Sequence, residues 1–250
     1  MNQRLLRYEL RNILGNPFVF GFGMVLPMVL YFLIAKTLKS EIPAQMIPTA
    51  NAQLYVMMSL TIPLAIIFIG YASNYSQEVE KGIPQRMQLF GFSVRKMTTA
   101  KLVSELIVAG IGFFIYTLAA VTGTEVAKPQ ASSVITLAVS LILLAVMFFF
   151  QAQGFSNIFR KFGPTYAVTM SLYFGTMILC GMMGIKTENL PNFAQKIAKT
   201  LPMYYISHDF TDYWEKGSYN AAPLIQSFLF LGAITCFIFL YSVKKKRVSR

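Results

Sequence analysis

Six apolar stretches, each long enough to cross a bilayer, divide this 250-residue chain, and no other feature restricts its fold so tightly. A helix that spans about 30 Å of hydrocarbon needs roughly 20 mostly apolar residues. The stretches run approximately over 17–35, 54–74, 102–122, 132–153, 164–185 and 221–243. Each is apolar around most of its circumference, unlike the one-sided stripe of a helix on a soluble domain. The chain is therefore expected to be an all-α integral membrane protein, a single transmembrane domain over residues 1–250.

Lys and Arg near the span ends set the orientation, because cytoplasmic loops carry an excess of them. Arg4, Arg7 and Arg11 precede the first span, and Lys81, Arg86, Arg95, Lys96 and Lys101 follow the second. Arg160 and Lys161 follow the fourth, and Lys244, Lys245, Lys246, Arg247 and Arg250 follow the last. These are fifteen of the 22 basic residues, and all fall on one side if the spans alternate. Both termini are expected on the cytoplasmic side of a cell membrane, that of a bacterial plasma membrane. The net charge of +12 then serves topology and anionic headgroups, since the basic residues flank apolar spans instead of lining a soluble face. No nucleic-acid partner is expected.

Several chemistries find no support. The first apolar run is span-length and has no small-residue cleavage pattern, so it is expected to be retained. Cys180 and Cys236 both fall inside spans and are expected to be buried free thiols; with a single histidine they make no metal site. No GxxxxGK[ST] loop is present, so the chain is not expected to hydrolyse a nucleotide. No span carries a charge near its centre. Glu105 falls within a turn of the cytoplasmic end of the third, which argues against proton or sodium coupling.

Along the chain, Leu6, Leu10, Ile13 and Leu14 recur at helical spacing while Arg4, Arg7 and Arg11 take another face. This predicts a helix lying in the cytoplasmic interface before Gly15-Asn16-Pro17 turns the chain inward. Pro27 and Pro63 remove backbone donors inside the first and second spans and are candidate hinges. A short loop, 123–131, predicts an antiparallel hairpin of the third and fourth spans. Gln151 and Gln153 at the end of the fourth are suited to hydrogen bonds with a neighbouring helix or to a substrate path. In the outer segment 186–220, Phe193, Ile197 and Leu201 repeat every four residues up to Pro202. This predicts a short amphipathic helix on the outer leaflet, with Tyr204, Tyr205 and Trp214 as interfacial aromatics. His208 stands beside Asp209 and Asp212 and reads as an ordinary loop histidine.

The loop between the second and third spans, 75–96, is too long for a minimal turn and is patterned. Glu78 and Glu80 come first, Gly82 and Pro84 set a bend, Arg86 follows, and Met87, Leu89, Phe90 and Phe92 supply apolar anchors. A short helix here could rest on a soluble partner, its carboxylates meeting basic groups and its apolar side chains filling a groove. The chain here resembles the permease subunits of ABC exporters of the six-span ABC-2 type. Glu78 to Gly82 matches that family's E-x-x-x-G element, and Arg95-Lys96 and Lys101 match the basic positions after its coupling helix.

The resemblance implies a pairing with a separate ATP-binding cassette subunit, which would hold ATP and magnesium, and with a second permease copy. It implies a coupling site at Glu78, Glu80, Gly82, Pro84, Arg86, Phe90 and Phe92 and export of a hydrophobic or amphipathic substrate such as a drug, an antimicrobial peptide or a lipid-linked molecule, with a bearing on multidrug or peptide resistance. Two alternatives stay open. One is a membrane immunity or sensor subunit of the same architecture that binds a peptide without transporting it. The other is an intramembrane hydrolase using Glu78, Glu80 and Arg86.

Overall fold

The computed structural model describes residues 3–217 and 219–248, and every regular element among them is helical. Arg250, counted above among the basic tail residues, lies outside the described residues. Helix α1 (Gln3–Leu14) ends at Gly15 and Asn16. Five helices are long and apolar enough to cross a membrane: α2 (Gly21–Glu41), α3 (Ala44–Glu80), α5 (Val94–Gly123), α6 (Ala131–Phe159) and α11 (Ala222–Val248, apolar span to Lys245). Between α3 and α5 sits α4 (Ile83–Leu89). The fifth apolar stretch becomes α7 (Phe162–Leu179), 18 residues long. It stops at Leu179, with Cys180 as its cap, because Gly181 and Gly184 take left-handed backbone at φ +75 and +81 and reverse the chain. The expected span 164–185 is thereby shortened, and the described residues contain five membrane-length helices where six were expected.

The centre of the molecule is α3. Leu64 to Tyr71 are buried on every side, as an all-apolar helix must be when others surround it. It is not regular. Pro63 cannot donate to Ser59, and the α-helical run Ile47–Ser59 stops there; after a turn at Leu60 it resumes and passes into a π-helical stretch, Leu64–Tyr71. In α2 the π-helical stretch Gly21–Val25 holds Gly23, the carbonyl four residues before Pro27, so the widened turn relieves the ring's steric conflict. The two irregular stretches face each other. A Cβ added at Gly23 would overlap the Ile66 side chain, one at Gly70 would lie 2.7 Å from Val19 Cγ2, and one at Gly112 of α5 would lie 3.0 Å from Ile66 Cδ1. Small residues are what let helices approach this closely where no aqueous hydrophobic effect drives them together.

Helices α6 and α11 run parallel, since Gln151 Nε2 donates to Thr235 Oγ1 at 2.8 Å and a Cβ at Gly154 would meet Ile238. That answers for Gln151, and Gln153 Nε2 reaches Thr98 Oγ1 of α5 at 3.3 Å. The α5–α6 hairpin is antiparallel, but α6 leans mainly on α3 and α11 and leaves room between itself and α5. The loop 124–130 is stitched from both sides: Asn51 donates to the Glu125 carbonyl at 2.9 Å, Ala127 N–H to the Pro48 carbonyl at 3.0 Å, and Trp214 Nε1 to the Ala127 carbonyl at 2.9 Å.

The segment after α7 holds three short helices, α8 (Asn192–Ala198), α9 (Pro202–His208) and α10 (Phe210–Lys216). Helix α8 buries Ala194 and Ala198 and exposes Phe193 and Ile197, while Leu201 is half-buried and Pro202, which opens α9, is buried. Trp214 is buried against Tyr55, with ring centroids 5.7 Å apart. Cys180 is buried as expected, whereas Cys236 faces outward from α11.

Candidate functional site

At the end of the bundle that gathers the basic residues, α3 runs into the 81–93 loop. Gly82, at φ +67, takes the left-handed turn that lets the chain double back, and Pro84 falls in the first turn of α4, where its missing N–H costs nothing. At the far end Gly91 (φ +84) closes the helix: Phe92 N–H reaches the Met87 carbonyl at 3.1 Å and Gly91 N–H the Gln88 carbonyl at 3.0 Å. Ser93 Oγ then accepts from Lys96 N–H at 3.4 Å and starts α5.

The four apolar anchors divide. Met87 and Phe92 turn inward onto a small cluster of Leu5, Met97 and Ala100. Leu89 and Phe90 are 86% and 82% exposed, an apolar tip on an otherwise polar turn. Arg86 is exposed and returns one guanidinium hydrogen bond to the Lys81 carbonyl at 2.8 Å.

The two acids both accept hydrogen bonds from within the chain. Glu78 is buried: its Oε2 accepts from Lys101 Nζ at 2.7 Å and its Oε1 from Asn12 Nδ2 at 2.9 Å. Lys101 also donates to Glu9 Oε2 at 2.8 Å and lies over the Tyr75 ring, 5.8 Å from its centroid. Glu80 is exposed, but its Oε2 accepts the backbone N–H of Phe162 at 2.8 Å, the first residue of α7. A carboxylate at a helix N-terminus satisfies an orphan donor and meets the positive end of the helix dipole. The end of α3 packs on α6 and α7, and its buried acid Glu78 is satisfied by Asn12 of α1 and Lys101 of α5, while the exposed Glu80 meets the start of α7.

Helix α1 is anchored here by residues the sequence pattern overlooked. It buries Leu5, Glu9 and Ile13, one residue per turn, and exposes Arg7, Arg11 and Leu14; Arg4 is also on the surface. Asn16 extends the row, donating to Asn74 Oδ1 at 2.9 Å and to the Gly70 carbonyl at 3.2 Å. An acid spaced four residues from two apolar neighbours, and a lysine inside an apolar helix, were the available signals. Burial pushes the Glu9 carboxyl above the usual carboxylate range, and the Lys101 ammonium offsets part of that. Glu105, expected near a span end, is buried on the face of α5 that carries Lys101, one turn further in.

Glu78, Glu80 and Arg86 thus point to three separate partners. His208 lies at the opposite end of the bundle, where it stacks on Tyr204 with centroids 4.5 Å apart and its ring nitrogens meet Ser207 Oγ at 2.8 Å and Thr187 Oγ1 at 3.4 Å. The Asp212 side chain, placed near it by sequence, lies outside the described residues. Pro27 and Pro63 are both buried in the bundle, far from the α4 tip in sequence and adjoining the π-helical stretches.

Together these features define a multi-pass α-helical membrane protein, with a short helix slung between two membrane-length helices that a buried ion pair joins to each other. The chain belongs to the ABC-2 family of transporter proteins, whose model matches residues 34–244, from within α2 to near the end of α11. It matches none of the curated proteins with which it was compared. The family places it as the membrane permease component of a transporter, a component that is generally not itself catalytic.

Proposed function

We propose that this chain is the permease subunit of an ATP-driven exporter and that a separate ATP-binding cassette subunit docks on the α4 tip. The carrying observation is the pair Leu89 and Phe90, 86% and 82% exposed at the end where Arg86, Arg95 and Lys96 are also exposed. Large apolar side chains standing this far into solvent beside charged groups are the anatomy of an interface anchor with a polar rim. The inward half of the loop, Glu78 to Lys101, Glu80 to Phe162 and Phe92 in its apolar cluster, gives that tip a stiff base, so a push on α4 reaches α1, α3, α5 and α7 together. ATP and magnesium belong to the partner.

In this reading α7 is the fifth span and completes the set of six. Its 18 residues measure about 27 Å at 1.5 Å per residue, close to the hydrocarbon thickness. The whole chain is then one transmembrane domain with the α1, α4 and C-terminal ends in the cytoplasm of a bacterial cell. Two copies form the pathway, and the cargo is hydrophobic or amphipathic. Phe193 and Ile197 of α8 rest in the outer leaflet.

The test is co-expression with candidate ATP-binding cassette subunits and purification in mild detergent. A stoichiometric complex is expected, lost when Leu89 and Phe90 are both changed to Ser while the permease still inserts. A complex that survives the double change would remove α4 as the docking element, and the absence of any ATPase partner would favour the sensor alternative.

A further inference from the structure

Between α3, α5 and α6 lies a cavity of about 320 Å³, separate from the coupling end. It exists for two reasons already visible in the fold: α6 leans away from α5 onto α3 and α11, and the facing walls are cut back to small residues, Ala109 and Gly110 on one helix and Ala138 and Ala145 on the other. Its floor is the break in α3 at Ser59 and Pro63. The single side-chain hydroxyl on the wall, Ser59 Oγ, already donates to the Val56 carbonyl at 2.6 Å, so no side-chain donor is left for a polar guest. The mouth faces outward: Ile142, part of the wall, is 55% exposed, and a Cβ added at Gly110 would meet nothing within 4 Å. On α5 the wall residues fall between Leu106 and Phe113, and on α6 between Ala138 and Ala145, in the middle of both helices.

We infer that this cavity holds the terminal part of an acyl chain from a membrane lipid. The inference rests on the membrane-spanning assignment alone and not on the transport reading. Its size is at the low end for a ligand site, roughly 300–1,000 Å³, and fits one chain and no headgroup. A mouth at mid-helix opens onto the bilayer core, where chain ends reside and headgroups do not. The surface around it is continuous with the lipid-facing side chains Ile107, Ile111 and Leu143, all exposed. The chain would supply dispersion contacts that the wall atoms otherwise lack, and it would wedge α5 and α6 apart beside the Pro63 break.

The test uses the full-length protein in lipid discs containing phosphatidylcholine with a photoactivated diazirine at the chain terminus, and in a parallel sample a diazirine next to the ester. Cross-linked peptides are mapped by mass spectrometry. The chain-end probe is expected to label 106–113 and 138–145 above the level of the exposed Phe237 surface of α11, and the ester-end probe is not. Gly110→Leu, which has space for its side chain, is expected to abolish that excess labelling; Ala138→Leu fills the cavity from the other wall and serves the same purpose if the first variant does not fold. Labelling no higher than at Phe237, or unchanged in a folded filled variant, overturns the proposal. So does capture of a dissolved aromatic photoprobe in place of the lipid, which would give the cavity to a hydrophobic cargo.

Discussion

Lys101 on α5 donates to Glu78 on α3 at 2.7 Å, and this contact closes the two ends of the 81–93 loop on each other. Glu9 on α1 takes a second hydrogen of the same ammonium at 2.8 Å, so three helices converge on one nitrogen. The arrangement leaves the tip of α4 exposed while its base is buried. A transmitting element needs that combination, since a flexible base would absorb a displacement at the tip.

Removing the cation should be costly. Lys101→Met leaves the Glu9 and Glu78 carboxylates buried without a counter-charge, and breaking a buried pair from one side typically costs about 3–5 kcal/mol. Thermal unfolding in detergent should show a marked fall in midpoint, partly recovered when Glu78→Gln is added, because the second change removes the orphaned charge. An additive double variant would show that the pair is not coupled.

Glu80 should matter less for stability. It is solvent-exposed, and its bond to the Phe162 N–H at the start of α7 should contribute about 0.3–1 kcal/mol, less at high salt. Glu80→Gln is expected to keep the fold and lose that salt dependence. The paired change Glu78→Ala with Glu80→Ala should loosen the base of α4 and reduce partner-stimulated ATP hydrolysis while the protein still inserts; full retention of activity and export would rule out transmission through this loop.

The close approach of α2 to α3 should tolerate no side chain at Gly23. Gly23→Ala overlaps Ile66, and overpacking of this kind costs about 1–3 kcal/mol. Ile66→Ala is expected to rescue Gly23→Ala in part, read as recovery of the unfolding midpoint and of monodisperse elution. Gly21→Ala, where an added Cβ meets nothing within 4 Å, serves as the control and should be near neutral.

The pH response of the α1 anchor follows from Glu9. Its carboxyl is raised above the ordinary value of 4.5, first by burial, so the folded state holds that proton more tightly than the unfolded chain. The contribution is fully present below the unfolded value and is lost as pH rises through the raised folded value. Glu9→Gln should therefore flatten the pH dependence of stability above 4.5, measured by unfolding midpoints across that window. An unchanged slope would mean that another group governs it.

Some of this was legible in the residues. Apolar length placed the membrane helices, because a bilayer demands about 20 apolar residues per crossing wherever they lie. Gly82 and Pro84 marked the bend into α4, because left-handed backbone and a missing donor are local demands. The loop's acids were harder. Glu78 and Glu80 sit in a sequence context like that of surface acids, and the burial of Glu78 and the helix-end contact of Glu80 depend on Asn12, Lys101 and the start of α7, none of them local. The burial of Trp214 and Glu105 was hidden for the same reason: burial is decided by which neighbours arrive, and these arrive from distant parts of the chain.

By itself, then, the sequence determined the medium, the helical class, the bend at Gly82 and Pro84, and the basic character of the α4 region. These follow from hydrophobicity, donor counts and φ preferences, which act within a few residues. The tertiary structure alone decided that α3 is the hub, that one lysine serves two carboxylates from other helices, that the apolar loop residues split into an inward pair and an outward pair, and that α5 and α6 part to leave a hydrocarbon-lined cavity. Those depend on which helix surfaces fit at close range, where a glycine in one helix and an isoleucine in another must meet in the same space.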